Sequence, residues 1–270
     1  MNNQINKLRI LAIHGYAQSD VVFKSKLGSL RKAFKKQIDF VFLRGPHKVP
    51  MKSNFNIDGP EEAYGWWFNT EDHIFKAIIP SNLAVGFEDS VAVIEKAFQE
   101  FGSFDGILGF SQGAAFATIL CFMKQKNLLQ IKFDFVIIIS GFKSLCAPHA
   151  IYYNEMISIP SLHVYGKNDQ VIPTEMAREV SEMFINKTDI IHEGGHYIPG
   201  KKEHYKEFII EMLLNKNKMR FLNILCLELY EVWVMYKKKY KNGIERTVTQ
   251  NSMRTNALAH KPDVTPVSLD

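Results

Sequence analysis

Short apolar runs alternate along this chain with stretches in which apolar residues recur at helical spacing. "LRILAI" at 8–13, bounded by His14 and Gly15, is a continuous apolar run of the kind that forms a strand buried on both faces. Residues 20–36 place Val22, Phe23, Leu27, Leu30 and Phe34 near helical spacing with basic residues between them, which predicts a helix. "IDFVFL" at 38–43 reads as the next strand, closed by Gly45 and Pro46. A long irregular stretch over 44–80 follows and carries "AYGWWFNTEDHIF". Beyond it the pattern predicts a helix over about 88–101, a strand over 105–109 and a helix to about 125. Strands are predicted at 133–140, 160–166 and 188–193, with helical stretches over about 174–185 and 202–214. Such alternation implies βαβ units, hence an α/β chain with a mostly parallel central sheet and helices on both faces. Active groups in such a sheet collect at the carboxyl ends of the strands, which selects the loops 14–19, 44–75, 110–113, 141–155, 166–173 and 193–200.

Composition adds little to this picture, but charge does. With 46% hydrophobic and 23% charged residues, the 270-residue chain has the make-up of a soluble globular protein with a large core. Residues 1–200 hold 20 Lys/Arg and 20 Asp/Glu, whereas 201–250 hold 11 and 6. The formal net charge of +5 therefore comes from one C-terminal stretch, and it makes nucleic acid a poor partner for the main domain. Cys121, Cys146 and Cys226 are scattered and lack C-x-x-C spacing, so they suggest neither a disulfide framework nor a zinc site. The apolar run near the N-terminus is too short for a signal-peptide core, and cytoplasmic residence is the expectation.

Candidate chemistry enters at "DGILGFSQGAAFATIL", 105–120. Gly109-Phe110-Ser111-Gln112-Gly113 fits G-x-S-x-G between a predicted strand and a predicted helix, the context in which that pattern lifts a nucleophilic serine out of a sheet. A side chain at either glycine would collide with the neighbouring strand or helix. The hydroxyl of Ser111 needs a base, and the base needs an orienting acid. After Ser111, the strand-end loop "YGKNDQVIP" supplies Asp169, and "HEGGHYIPG" supplies His196 on a Gly-Gly turn. The chain order Ser, acid, His is the one this arrangement uses. His192 lies where the last strand should still run and reads as packed. Asp189 and Glu193 lie too near His196 in sequence to reach its far nitrogen, and His163 sits on a predicted central strand. His47 and His73 belong to the long loop, with a surface or lining role. The backbone N–H groups of Gln112 and Tyr16 are the candidates for an oxyanion hole.

The segments "HGYAQS" (14–19), "GWW" (65–67), "GFEDS" (86–90), "FDGILGFSQGAA" (104–115), "SGF" (140–142), "IPSLHVYGKND" (159–169) and "HEGGHYIP" (192–199) resemble, in order, the FSH family of serine hydrolases. That group of α/β-hydrolases includes the ovarian-cancer-associated-gene-2-type esterases. The resemblance spans roughly 7–214. It implies an α/β-hydrolase fold and a carboxylesterase whose triad falls on Ser111, Asp169 and His196. It departs at Lys167, where an acidic residue is expected, and beyond about 215, where the family has no counterpart.

Trp66, Trp67 and Phe68 either line an acyl pocket or cover the core edge under the long loop, and pocket lining is the expectation. The domain reading is a hydrolase domain over 1–215, an amphipathic helical extension over 216–242 and a disordered tail over 243–270. The extension could pack on its own domain, on a second subunit or on a membrane surface, and self-packing is the first expectation. The expected function is cleavage of medium- or long-chain acyl esters through an acyl-serine intermediate, with no metal and no organic cofactor. Thioester hydrolysis by the same triad, or a non-catalytic hydrolase-fold binding protein, are the alternatives.

Overall fold

A computed structural model describes residues 7–50 and 62–258, with side chains to residue 237. The apolar runs become β1 (Leu8–Ile13), β2 (Ile38–Leu43), β5 (Gly106–Phe110), β6 (Phe135–Ile139), β7 (Ser161–Gly166) and β8 (Lys187–His192). They form one sheet in the order β2-β1-β5-β6-β7-β8, and every neighbouring pair is parallel. A two-residue pair, β3 (His47–Lys48) and β4 (Tyr64–Gly65), stands apart from it. The helices are α1 (Asp20–Lys26), α2 (Gly28–Ala33), α3 (Phe87–Phe101), α4 (Gln112–Gln125), α5 (Thr174–Glu182) and α6 (Glu203–Leu258).

The period-two geometry of a strand sends alternate side chains to opposite faces, and two cores result. Leu8, Ile10 and Ala12 of β1, with Leu108 and Phe110 of β5, face α1, α2 and the first turns of α6. Leu11, Ile13 and Ile107 face α3, α4 and α5. The inner strands β1, β5, β6 and β7 are apolar on both faces because both faces are covered, whereas the edge strand β8 is largely exposed.

Three local differences have physical causes. Residues 20–36 form two helices rather than one, with the break at Leu27, whose N–H still bonds Phe23 O at 2.9 Å. Residues 147–152 form a 3₁₀ turn led by Pro148 that has no apolar periodicity to announce it. Helix α6 continues through 243–258, where the composition predicts a disordered tail. A lone glycine costs a helix only about 1 kcal/mol, and no proline lies between Pro199 and Pro262. Residues 259–270 of that expected tail lie outside the described residues. By contacts the chain divides into two units, 1–216 and 217–270. Among the described residues no helix is long and apolar enough to cross a membrane.

Candidate active site

Ser111 follows directly on β5 and is the N-cap of α4, with φ 52° and ψ −117°. A positive φ is uncommon for a residue with a Cβ, and it marks a sharp turn held by its surroundings. Those surroundings explain both glycines. A Cβ at Gly109 would lie 2.4 Å from Gly113 O, and one at Gly113 would lie 2.4 Å from the carbonyl oxygens of Ile13 and His14. Only bare Cα atoms let the strand, the helix and the end of β1 meet this closely.

The loops after β7 and β8 bring two more side chains to that turn. His196 Nδ1 lies 2.7 Å from Asp169 Oδ2, and His196 Nε2 lies 3.0 Å from Ser111 Oγ. An ionised carboxylate only accepts, so Nδ1 carries the proton and donates it to Asp169. Nε2 is then bare and accepts from the Ser111 hydroxyl. The other oxygen of Asp169 accepts the backbone N–H groups of Val171 and Ile172 at 2.9 and 2.8 Å. Burial works to raise the Asp169 pKa, but the bond from His196 and these two N–H groups outweigh it, and the carboxyl is held below its usual value. The three side chains chosen from chain order thus meet in one hydrogen-bonded line.

The rival residues are engaged elsewhere. Asp189 accepts from Ser181 Oγ at 2.5 Å, and Glu193 pairs with Lys167 at 2.5 Å. The unexpected cation at 167 therefore has its own partner, supplied by the loop that carries His196. His192 and His163 are buried, His47 bonds the carbonyl of Gly86 at 2.7 Å, and His73 stacks on Phe68.

The first-strand loop lies against the serine, since a Cβ at Gly15 would sit 3.3 Å from Ser111 Cβ. Tyr16 follows in this loop, and Gln112 opens α4, whose first N–H groups have no partner inside the helix. An N-terminal helix dipole favours negative charge at this point. The loop is fixed by His14, which in the sequence only marks the end of the first apolar run. His14 Nδ1 donates to Gly15 O at 2.7 Å, and His14 Nε2 accepts the N–H of Gly45 at 2.9 Å. Burial pushes the His14 pKa down to about 4, against a smaller upward pull from the bond to Gly15. The ring is neutral, in one tautomer, and ties the loop after β1 to the loop after β2.

The expected pocket residues require a correction. Trp66 and Trp67 are fully buried and Phe68 nearly so, and all three belong to the core. Trp66 Nε1 donates to His14 O at 2.7 Å, and Trp67 packs edge-on against Phe75, Phe87 and Phe116. Their backbone is held by the Gln112 side chain, which accepts from Trp66 N at 2.9 Å and donates to Trp67 O at 2.8 Å. The cavity beside Ser111 and His196 holds about 230 Å³, and its apolar lining includes Phe75, Ala77, Phe110 and Val171 instead. Gln18 and Lys26 add polar groups to the lining. Phe75 ends a loop that the strand-end rule had already selected, and that was the available signal. No group of three or more metal-ligating side chains occurs among the described residues.

The chain is also similar to known proteins. A family described as "Serine hydrolase (FSH1)" matches residues 1–208. Among curated relatives, "Esterase OVCA2" of Danio rerio is 39% identical over 218 residues, covering 75% of this chain and 96% of its own length. "Esterase OVCA2" of Xenopus tropicalis is 41% identical over 215 residues, covering 76% of this chain and 94% of its own. Among solved structures, esterase PE8 superposes with a TM-score of 0.55 at 20% identity, covering 76% of this chain and 91% of its own. That last likeness is one of fold.

Proposed function

We propose, for a chain that belongs to the serine hydrolase (FSH1) family, that it cleaves carboxylic esters through an acyl enzyme formed on Ser111. The observation that carries the reading is the continuous hydrogen-bonded line Ser111–His196–Asp169 at 3.0 and 2.7 Å. As the Ser111 hydroxyl attacks the ester carbonyl, its proton passes to His196 Nε2. Asp169, kept ionised by its depressed pKa, stabilises the imidazolium and holds its orientation. The N–H groups of Gln112 and Tyr16 receive the developing oxyanion. His196 then returns the proton to the departing alcohol, which leaves the acyl group on Ser111. Water attacks by the reverse path, activated by the same imidazole. No step calls for a metal or an organic cofactor.

Substrate preference follows from the lining. The walls beside Ser111 are largely apolar, but about 230 Å³ is smaller than a typical drug-sized pocket of roughly 300–1,000 Å³. Each methylene taken from water contributes about 0.8 kcal/mol until the cavity is filled. Medium-chain acyl esters are therefore the favoured substrates, with the gain levelling off for longer chains. Three free thiols, two of them buried, suit a reducing compartment such as the cytoplasm.

One experiment tests the reading: p-nitrophenyl esters from acetate to palmitate, run beside the matching acyl-CoA thioesters. The expected kcat/KM rises from acetate to a medium-chain plateau, falls to background in Ser111→Ala, and rises less steeply in Phe75→Ala. Turnover that survives in Ser111→Ala removes the nucleophile. A flat profile unchanged in Phe75→Ala removes the pocket, and preference for the thioesters reassigns the leaving group.

A further inference from the structure

The helix beyond residue 216 lies outside the stretch matched by the family and has a face of its own. At about 100° per residue, Phe221, Leu222, Leu225, Leu229, Val232 and Trp233 fall within one arc of about 120°. No charged residue of 219–236 shares that arc, whereas Arg220, Asn223, Glu228 and Glu231 lie outside it. All six apolar side chains are exposed, from 41% for Leu222 and Leu225 to 66% for Phe221. Exposed leucine and phenylalanine in a contiguous strip of this kind ask for an occupant.

Charge identifies the occupant. Residues 1–216 hold 24 Lys/Arg and 23 Asp/Glu, whereas 217–270 hold 9 and 5. Within 217–241 the cations flank the apolar strip, with Lys218 and Arg220 before it and Lys237, Lys238, Lys239 and Lys241 after it. A second copy of this helix would bring like charges together in either orientation, and a strip this wide exceeds the narrow seam of a two-stranded coiled coil. An anionic lipid surface satisfies both features at once. It receives the apolar arc at the acyl boundary and the basic flanks at the headgroups. The aromatic side chains suit that depth. Tyr230 and Trp233 stack at 5.9 Å, and Lys237 Nζ stands 4.6 Å from the Trp233 ring centre, so that an amphipathic ring and a cation occupy one level of the helix.

We propose that residues 217–241 form an in-plane helix that docks this hydrolase on anionic phospholipid bilayers without crossing them. The inference rests on the helix alone and is independent of the ester chemistry. It is tested with the full chain, by sedimentation with vesicles of phosphatidylserine and phosphatidylcholine and with vesicles of phosphatidylcholine alone. The native chain should sediment with the mixed vesicles and lose at least about tenfold in partition when the anionic lipid is omitted or salt is raised. Leu225→Ser combined with Trp233→Ser should lose at least about tenfold on the mixed vesicles. Lys237→Glu combined with Lys218→Glu should lose a comparable factor there. Neither pair touches the catalytic line, so far-ultraviolet circular dichroism and the melting temperature should match the native chain and exclude misfolding as the cause. The proposal fails if the native chain does not sediment, or if both pairs of substitutions leave sedimentation unchanged. It also fails if the native chain forms a dimer in solution that Leu225→Ser with Trp233→Ser dissolves, because the strip then belongs to a second copy.

Discussion

Two loops at the carboxyl edge of the sheet each carry a histidine with both ring nitrogens engaged, yet the two rings do different things. In the loop after β1, His14 is bonded to backbone groups only, the carbonyl of Gly15 and the N–H of Gly45. In the loop after β8, His196 is bonded to two side chains, the carboxylate of Asp169 and the hydroxyl of Ser111. A backbone N–H cannot give up its proton, so His14 acts as a brace. A serine hydroxyl can, and its neighbouring carboxylate steadies the cation that results, so His196 is placed to move a proton. The kind of partner, more than the number of bonds, separates scaffold from chemistry.

The largest effect that could break this contrast is on turnover. His196→Ala should lower kcat on a soluble ester by about 10³-fold or more, and Asp169→Asn by a comparable factor through the wrong tautomer. His14→Ala, in its folded fraction, should stay within about tenfold of the native rate, because it loosens one loop and leaves the proton path intact. A well-folded His14→Ala as inactive as His196→Ala would erase the distinction.

The next effect is on stability, and here the order should reverse. Removing the His14 ring leaves the Gly45 N–H and the Gly15 carbonyl without their partner and should cost about 3 kcal/mol in urea unfolding, more than His196→Ala. His14 also sharpens the contrast through acid. Its folded pKa of about 4 lies below the ordinary 6.5, so between those values the unfolded chain binds a proton that the folded chain refuses. The contribution is therefore whole above about pH 6.5 and is lost as pH falls, reaching about 3 kcal/mol at pH 4. His149, also pushed down to about 4 by burial, acts in the same direction. Unfolding curves across this window should be steep for the native chain and flatter for His14→Ala. Parallel curves would mean that the ring is not held neutral.

The smallest effect concerns the ion pair between the two loops of the triad. Lys167 and Glu193 are 54% and 79% exposed, so Lys167→Ala should change stability by less than about 1 kcal/mol and kcat by less than about twofold. A larger loss would show that this pair, too, braces the site.

The His196 loop was legible in the sequence, and the His14 brace was not. Ser111 and Asp169 each stand just past a run buried on both faces, which announces its own end, and His196 is marked by the Gly-Gly turn that follows the exposed edge strand β8. The partners of His14 are backbone groups at Gly15 and Gly45, and a backbone group leaves no mark on residue type. The same blindness explains Trp66 and Trp67. Their aromatic character suggested a wall for substrate, but Phe87, Phe116 and His149 converge on them from α3, α4 and the 3₁₀ turn, and no local pattern encodes that meeting. Gln112 is half legible in the same way. Its place after the serine marks its N–H, while the use of its side chain as a clamp on the Trp66–Trp67 backbone emerges only in three dimensions.

The left-handed backbone at Ser111 has a consequence for anyone who would make this protein hardier. A non-glycine residue at φ 52° and ψ −117° carries a local penalty of about 1–3 kcal/mol. Glycine adopts that conformation freely and forfeits only about 1 kcal/mol in extra freedom of the unfolded chain. Ser111→Gly should then melt at the same temperature as the native protein or higher, while losing its nucleophile. Selection for thermal endurance alone would drift toward that inert solution. A directed-evolution screen on this scaffold therefore has to read turnover at every round, because the most productive residue of the fold is also one of its weakest points.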